Sequence, residues 1–86
     1  MTAEFIDITV ATTGGDLTDR FNVQEPIRVL FNRALALVGG GVDRGAFALE
    51  YEDTELDLER SIADYIAQLG WTDGVALELV PSLVVI

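Results

Sequence analysis

Pro26-Ile27-Arg28-Val29-Leu30-Phe31-Asn32-Arg33-Ala34-Leu35-Ala36-Leu37-Val38 is the long stretch with clean helical spacing. Ile27, Leu30, Phe31, Ala34, Leu35 and Val38 recur at the helical period and make one apolar stripe. The pattern predicts a helix over Pro26–Val38. Pro26 suits the first helical position, where its missing N–H costs nothing, and Glu25 places negative charge near the positive end of the dipole. Gly39-Gly40-Gly41 stops the helix, since glycine accepts a left-handed C-cap. Val29 lies opposite the stripe and is expected to be exposed, with Leu37 at the stripe's edge.

Around this helix the chain reads as short strands that need one face covered. Phe5 to Val10 alternates, with Ile6, Ile8 and Val10 on one side and Asp7 and Thr9 on the other. Thr12-Thr13-Gly14-Gly15-Asp16 signals a turn, and Leu17 to Val23 resumes the alternation with Phe21 and Val23 inward, so the pair is expected to form a β-hairpin. After the helix, Gly39 to Gly45 reads as a glycine-rich loop. It follows a helix instead of opening one and has no Lys, so it does not fit a phosphate cradle. Ala46 to Glu52 alternates with Phe47, Leu49 and Tyr51 inward. A turn at Asp53-Thr54-Glu55 leads to a brief strand around Leu56–Leu58, then a short helix over Arg60–Leu69 ended by Gly70. Val75 to Val80 is a last strand, with Val75, Leu77 and Leu79 inward, before Pro81. The expected architecture is α+β: a mixed sheet of four to five strands, one main helix across one face, and a second short helix.

Eighty-six residues make one small domain, and half of them are apolar, enough for a core. With no Cys and no His, the chain has no disulfide, no thiolate or imidazole metal ligand and no imidazole base. The formal charge is −10, every cation is an Arg (Arg20, Arg28, Arg33, Arg44, Arg60), and Lys is absent. Such a domain is repelled by phosphate backbones and anionic lipid, which excludes nucleic acid and membrane surfaces and favours a protein partner with a basic surface. A GC-rich or salt-adapted genome would produce the Lys-free composition; the alternative is that Lys is excluded so that the chain cannot itself be modified on an ε-amine. No signal peptide is visible at Met1–Glu4 and no apolar run is long enough to insert in a membrane, so a cytoplasmic location is expected.

Ser61-Ile62-Ala63-Asp64-Tyr65 resembles the Thr-Leu-Ser-Asp-Tyr segment of ubiquitin, and Trp71-Thr72-Asp73-Gly74 with Ala76–Val80 resembles the approach to its final strand. Together with the element order, these motifs are similar to the ubiquitin-like β-grasp family over residues 1–81, with a few extra residues between Tyr65 and Trp71. The resemblance implies a core role for Ile62 and a Tyr65 hydroxyl that donates to a nearby backbone group. It also places the family's binding-face positions at Glu50, Glu78 and Val80. Two carboxylates there would desolvate at a cost against the aliphatic-binding partners of ubiquitin itself. The apolar tail 82–86 ends in Leu83-Val84-Val85-Ile86 where conjugated members carry a diglycine. The reading is therefore a non-conjugated prokaryotic interaction module, like the accessories of type VII secretion or the small proteins of conjugation gene clusters. The alternatives are a covalent modifier or carrier acting through its C-terminus, and a small structural subunit of an enzyme complex.

Glu50, Glu52, Asp53, Glu55, Asp57 and Glu59 crowd one segment. As a calcium loop, Asp53-x-Glu55-x-Asp57 lacks the required Gly and Glu, with Leu58 and Asp64 in their places. A solvated face that steers a basic partner is the better fit. With no His, Cys or Lys to act as base or activated nucleophile, catalysis is not expected, nor is a cofactor or metal. The expected protein-binding residues are Glu50, Glu52, Glu78 and Val80 on the outer sheet face, with Leu83, Val84, Val85 and Ile86 of the tail available to fold back or pair two copies as a homodimer.

Overall fold

A computed structural model describes residues 4–39 and 44–81. β1 (Phe5–Thr12) and β2 (Gly15–Asn22) form an antiparallel hairpin in full register from Phe5↔Asn22 to Thr12↔Gly15. The helix α1 (Ile27–Val38) follows. A single 3₁₀ turn (Arg44–Ala46) then leads into β3 (Phe47–Tyr51), the two-residue β4 (Thr54–Glu55), the helix α2 (Ile62–Leu69) and β5 (Val75–Pro81). The sheet order is β2-β1-β5-β3-β4, with β5 parallel to β1 and antiparallel to β3. The first and last strands thus meet at the sheet's centre. The core is one cluster between α1 and the inner face: Ile6, Ile8, Val10 and Phe21 from the hairpin meet Ile27, Leu30, Phe31 and Ala34 of the helix and Leu49, Leu77 and Leu79 of the later strands.

Several local expectations change. Pro26 is not the first helical residue but the extended N-cap (φ −73°, ψ 155°) with no side-chain cap. The Ile27 and Arg28 N–H groups donate instead to the carbonyls of Arg60 and Leu58, while Ile62 and Ala63 of α2 donate to Glu25 and Val23. Each helix start is thereby capped by backbone preceding the other, which satisfies donors that a helix leaves orphaned. The Glu25 carboxylate accepts from the Asn22 N–H rather than lying in the first turn of α1. Gly39 has positive φ (123°), but with ψ 161° it is extended and not left-handed helical. Val29, expected to be exposed, is half-buried and packs against the core.

The hairpin turn is tighter than the five-residue signal, reduced to Thr13-Gly14. A Cβ at Gly14 would lie 2.0 Å from the Leu37 carbonyl oxygen, so glycine is what lets this turn touch the end of α1. Further on, the turn falls at Glu52-Asp53 and the short strand at Thr54–Glu55, two residues before the Leu56–Leu58 expected for it. Both turn residues have positive φ (49° and 67°), the requirement of a type I′ hairpin. Leu56 is a core residue whose N–H donates to the Leu49 carbonyl. The second helix ends at left-handed Gly70 as expected but starts at Ile62, two residues after Arg60, because the Ser61 hydroxyl caps it by accepting from the Asp64 N–H. Tyr65 reverses its expected role, its hydroxyl accepting from the Asp57 N–H at 2.8 Å.

Candidate functional site

The outer sheet face divides into a neutralised half and an uncompensated one. On β1 and β2, Asp7 and Arg20 form an ion pair at 3.1 Å, and the Thr9 and Thr18 hydroxyls share a hydrogen bond at 3.1 Å. The other half is built from β5, β3 and β4. Leu49, Leu77, Leu79 and Leu56 point into the core, so alternation turns Glu50, Glu78 and Glu55 outward. Register then sets them in one row: Glu50 faces Glu78 on one side and Glu55 on the other. Directly opposed antiparallel residues hold their Cβ atoms about 4.5–5.5 Å apart, and like charges there repel. Ala48 and Val80, the next opposed pair on the same face, two register positions along, give the row an apolar flank.

Four of the five arginines are occupied elsewhere. Arg28 pairs with Glu59, Arg33 pairs with Asp19 at 2.6 Å, Arg20 pairs with Asp7, and Arg60 lies 5.1 Å over the Tyr65 ring. Among the described residues no cation pairs with the glutamate row. Asp19 is the carboxyl displaced in pKa, held below its ordinary value first by the Arg20 backbone N–H and then by the Arg33 guanidinium. It serves the packing of helix on hairpin, away from the row.

Of the expected binding residues, Glu50, Glu78 and Val80 lie on this uncompensated half. Glu52 leaves it: β3 ends at Tyr51, and Glu52 occupies the β3–β4 turn on the rim of a groove beside the strand face. Glu55, which spacing alone assigned to the general acidic run, joins the row through the β3–β4 register. Leu83, Val84, Val85 and Ile86, and the loop positions 40–43, lie outside the described residues. Among the described residues no cluster of potential ligands is arranged to hold a metal ion, and no helix is long and apolar enough to cross a membrane.

Solved structures with the same architecture carry ubiquitin names. Caldiarchaeum subterraneum ubiquitin superposes with a TM-score of 0.71 at 15% identity, covering 94% of this chain and 98% of that one. The chain has the ubiquitin-like fold. A de novo designed protein based on ubiquitin matches with a TM-score of 0.70 at 24% identity over 94% and 93% of the two chains. The UBL domain of Plasmodium falciparum Dsk2 matches at 0.69 and 21% over 92% and 100%. No protein-family model and no curated protein matches the chain.

Proposed function

We propose that this ubiquitin-like domain is a non-catalytic protein-interaction module of a prokaryotic cytoplasm, docking a basic surface of its partner through the outer face of β3, β4 and β5. The observation that carries the reading is the Glu55–Glu50–Glu78 row, three opposed carboxylates with no cation partner among the described residues. Like charges across strands destabilise a sheet, and a cationic partner surface relieves that repulsion. The absence of His, Cys and Lys supports a binding role over a catalytic one, and the acidic, Lys-free composition suits a prokaryotic accessory of a secretion or conjugation system.

Titration against a blocked Arg-rich peptide, as a surrogate for the basic surface, tests the proposal. Affinity should fall steeply as the Debye length shrinks from about 30 Å at 0.01 M to about 3 Å at 1 M salt. Replacing Glu50, Glu55 and Glu78 together by Gln should weaken binding about ten-fold, three exposed pairs at roughly 0.5 kcal/mol each. Affinity indifferent to both changes would refute it. Formation of an adenylate or thioester with ATP and an activating enzyme would replace it by the covalent reading.

A further inference from the structure

Beside the glutamate row lies a groove of about 440 Å³ between the β3–β4 turn and the loop entering β5. Its wall includes Tyr51 and Trp71, and Glu52, Asp73 and Glu78 stand on its rim. Three aromatic rings run in series behind it: Tyr65 stacks on Trp71 with centroids 5.3 Å apart, and Trp71 meets Tyr51 edge to face at 5.4 Å. At the Tyr65 end a cation is already seated, the guanidinium of exposed Arg60 over the Tyr65 ring. At the outer end Tyr51 is half-buried on the groove, with carboxylates around it and no cation among the described residues. Trp71 is 4% exposed, and its indole N–H has no acceptor among the described residues. A buried donor without an acceptor carries a free-energy cost, and the place of Trp71 in the wall makes its indole a reporter of what occupies the groove.

We infer that this groove takes the guanidinium of one Arg side chain from a protein partner, set against Tyr51 and held by the carboxylates of Glu52 and Glu78. The inference deepens the proposed function and rests on the partner being basic. Arginine fits better than lysine because its planar, weakly hydrated fork stacks on an aromatic face while its N–H groups, in the guanidinium's own plane, reach carboxylates at the rim. Asp73 contributes charge but little else, since its Oδ1 already accepts from the Asp7 N–H at 3.0 Å.

Trp71 is the sole tryptophan, so its indole N–H gives one resolved resonance. The domain, labelled with ¹⁵N, is titrated with a short blocked peptide alternating Ser and Arg, with its neutral citrulline counterpart, and with its Lys counterpart. The Arg peptide should shift the Trp71 indole N–H and the Gly74 and Val75 amides. It should bind about three- to ten-fold more tightly than the Lys peptide, and more tightly still than the citrulline one. Tyr51→Leu, which keeps apolar bulk without the ring, and Glu52→Gln should each erase the preference for Arg over Lys. Equal binding of Arg and citrulline peptides overturns the inference, as does a Lys peptide that binds as well as the Arg one. Shifts centred on Ala48, Glu50 and Val80 with Trp71 unmoved overturn the groove while leaving the basic-partner reading intact. Absence of any shift at low salt removes both.

Discussion

At the scale of single residues, three positions hold the fold in ways that composition does not reveal. Gly14 sits where a methyl group would strike the Leu37 carbonyl, and both neighbours are backbone that cannot rotate away. Gly14→Ala should therefore cost roughly 2 kcal/mol or more, in the range of overpacked sites, measured by urea denaturation. Tyr65 is subtler. Its hydroxyl accepts from the Asp57 N–H while its ring stays in the core, so Tyr65→Phe keeps the packing and strips a half-buried donor of its partner. The expected loss is about 1–2 kcal/mol with an unchanged denaturant slope. The Glu52-Asp53 turn bends the other way. Both residues occupy positive φ, where side-chain crowding costs about 1–2 kcal/mol for a residue such as Glu, and type I′ turns favour Asn-Gly. The double change E52N/D53G should raise the unfolding midpoint by about 0.5–1 kcal/mol in stability, after the unfolded-state entropy of the new glycine is subtracted. A fall would mean that Glu52 makes a contact worth more than the strain.

At the scale of elements, α1 is pinned to the edge strand β2 through Arg33, which pairs with Asp19 and lies 5.2 Å over the Phe21 ring. The folded-state pKa of Asp19 lies below its unfolded value of 3.8, so its contribution to stability is present above that pH and is lost as pH falls through the lower folded value. Asp19→Asn should thus lower stability at neutral pH and flatten the acid limb below about pH 4, read from unfolding midpoints across that range. The helix and strands were legible in advance because apolar periodicity decides them: Ile27, Leu30, Phe31 and Ala34 lie on the core side, and so do Ile6, Ile8 and Val10. The turns were less so. Alternation carried the third strand through Glu52, whereas the structure reverses direction there using two acidic residues in a conformation that sequence reserves for Gly and Asn. Pro26 lies one position ahead of the helix that its sequence suggests it opens, and the Ile27 and Arg28 N–H groups that follow it are satisfied by carbonyls distant in sequence, those of Arg60 and Leu58. Glu50, Glu78 and Val80 were readable as one face, but the membership of Glu55 depends on a strand register that no local pattern encodes.

At the scale of the whole molecule, a formal charge of −10 is spread unevenly. Arg20, Arg28 and Arg33 neutralise carboxylates on the hairpin and the helix side, which concentrates unpaired charge on the half of the sheet formed by β5, β3 and β4. If that concentration exists for a partner, it should show as a trade between stability and binding. Glu50 is the sharpest probe, being opposed on both sides, by Glu55 and by Glu78. Glu50→Gln keeps the shape and removes two repulsions, each about 0.2–1 kcal/mol, so the free domain should become more stable in dilute buffer. The gain should shrink in concentrated salt, where the Debye length falls to about 3 Å and the wild-type row is screened. The same substitution should weaken capture of an Arg-rich peptide and reduce the salt dependence of its affinity. Gains in stability without losses in binding would mark the row as tolerated surface charge, whereas opposite signs for the two measurements are what a docking face requires.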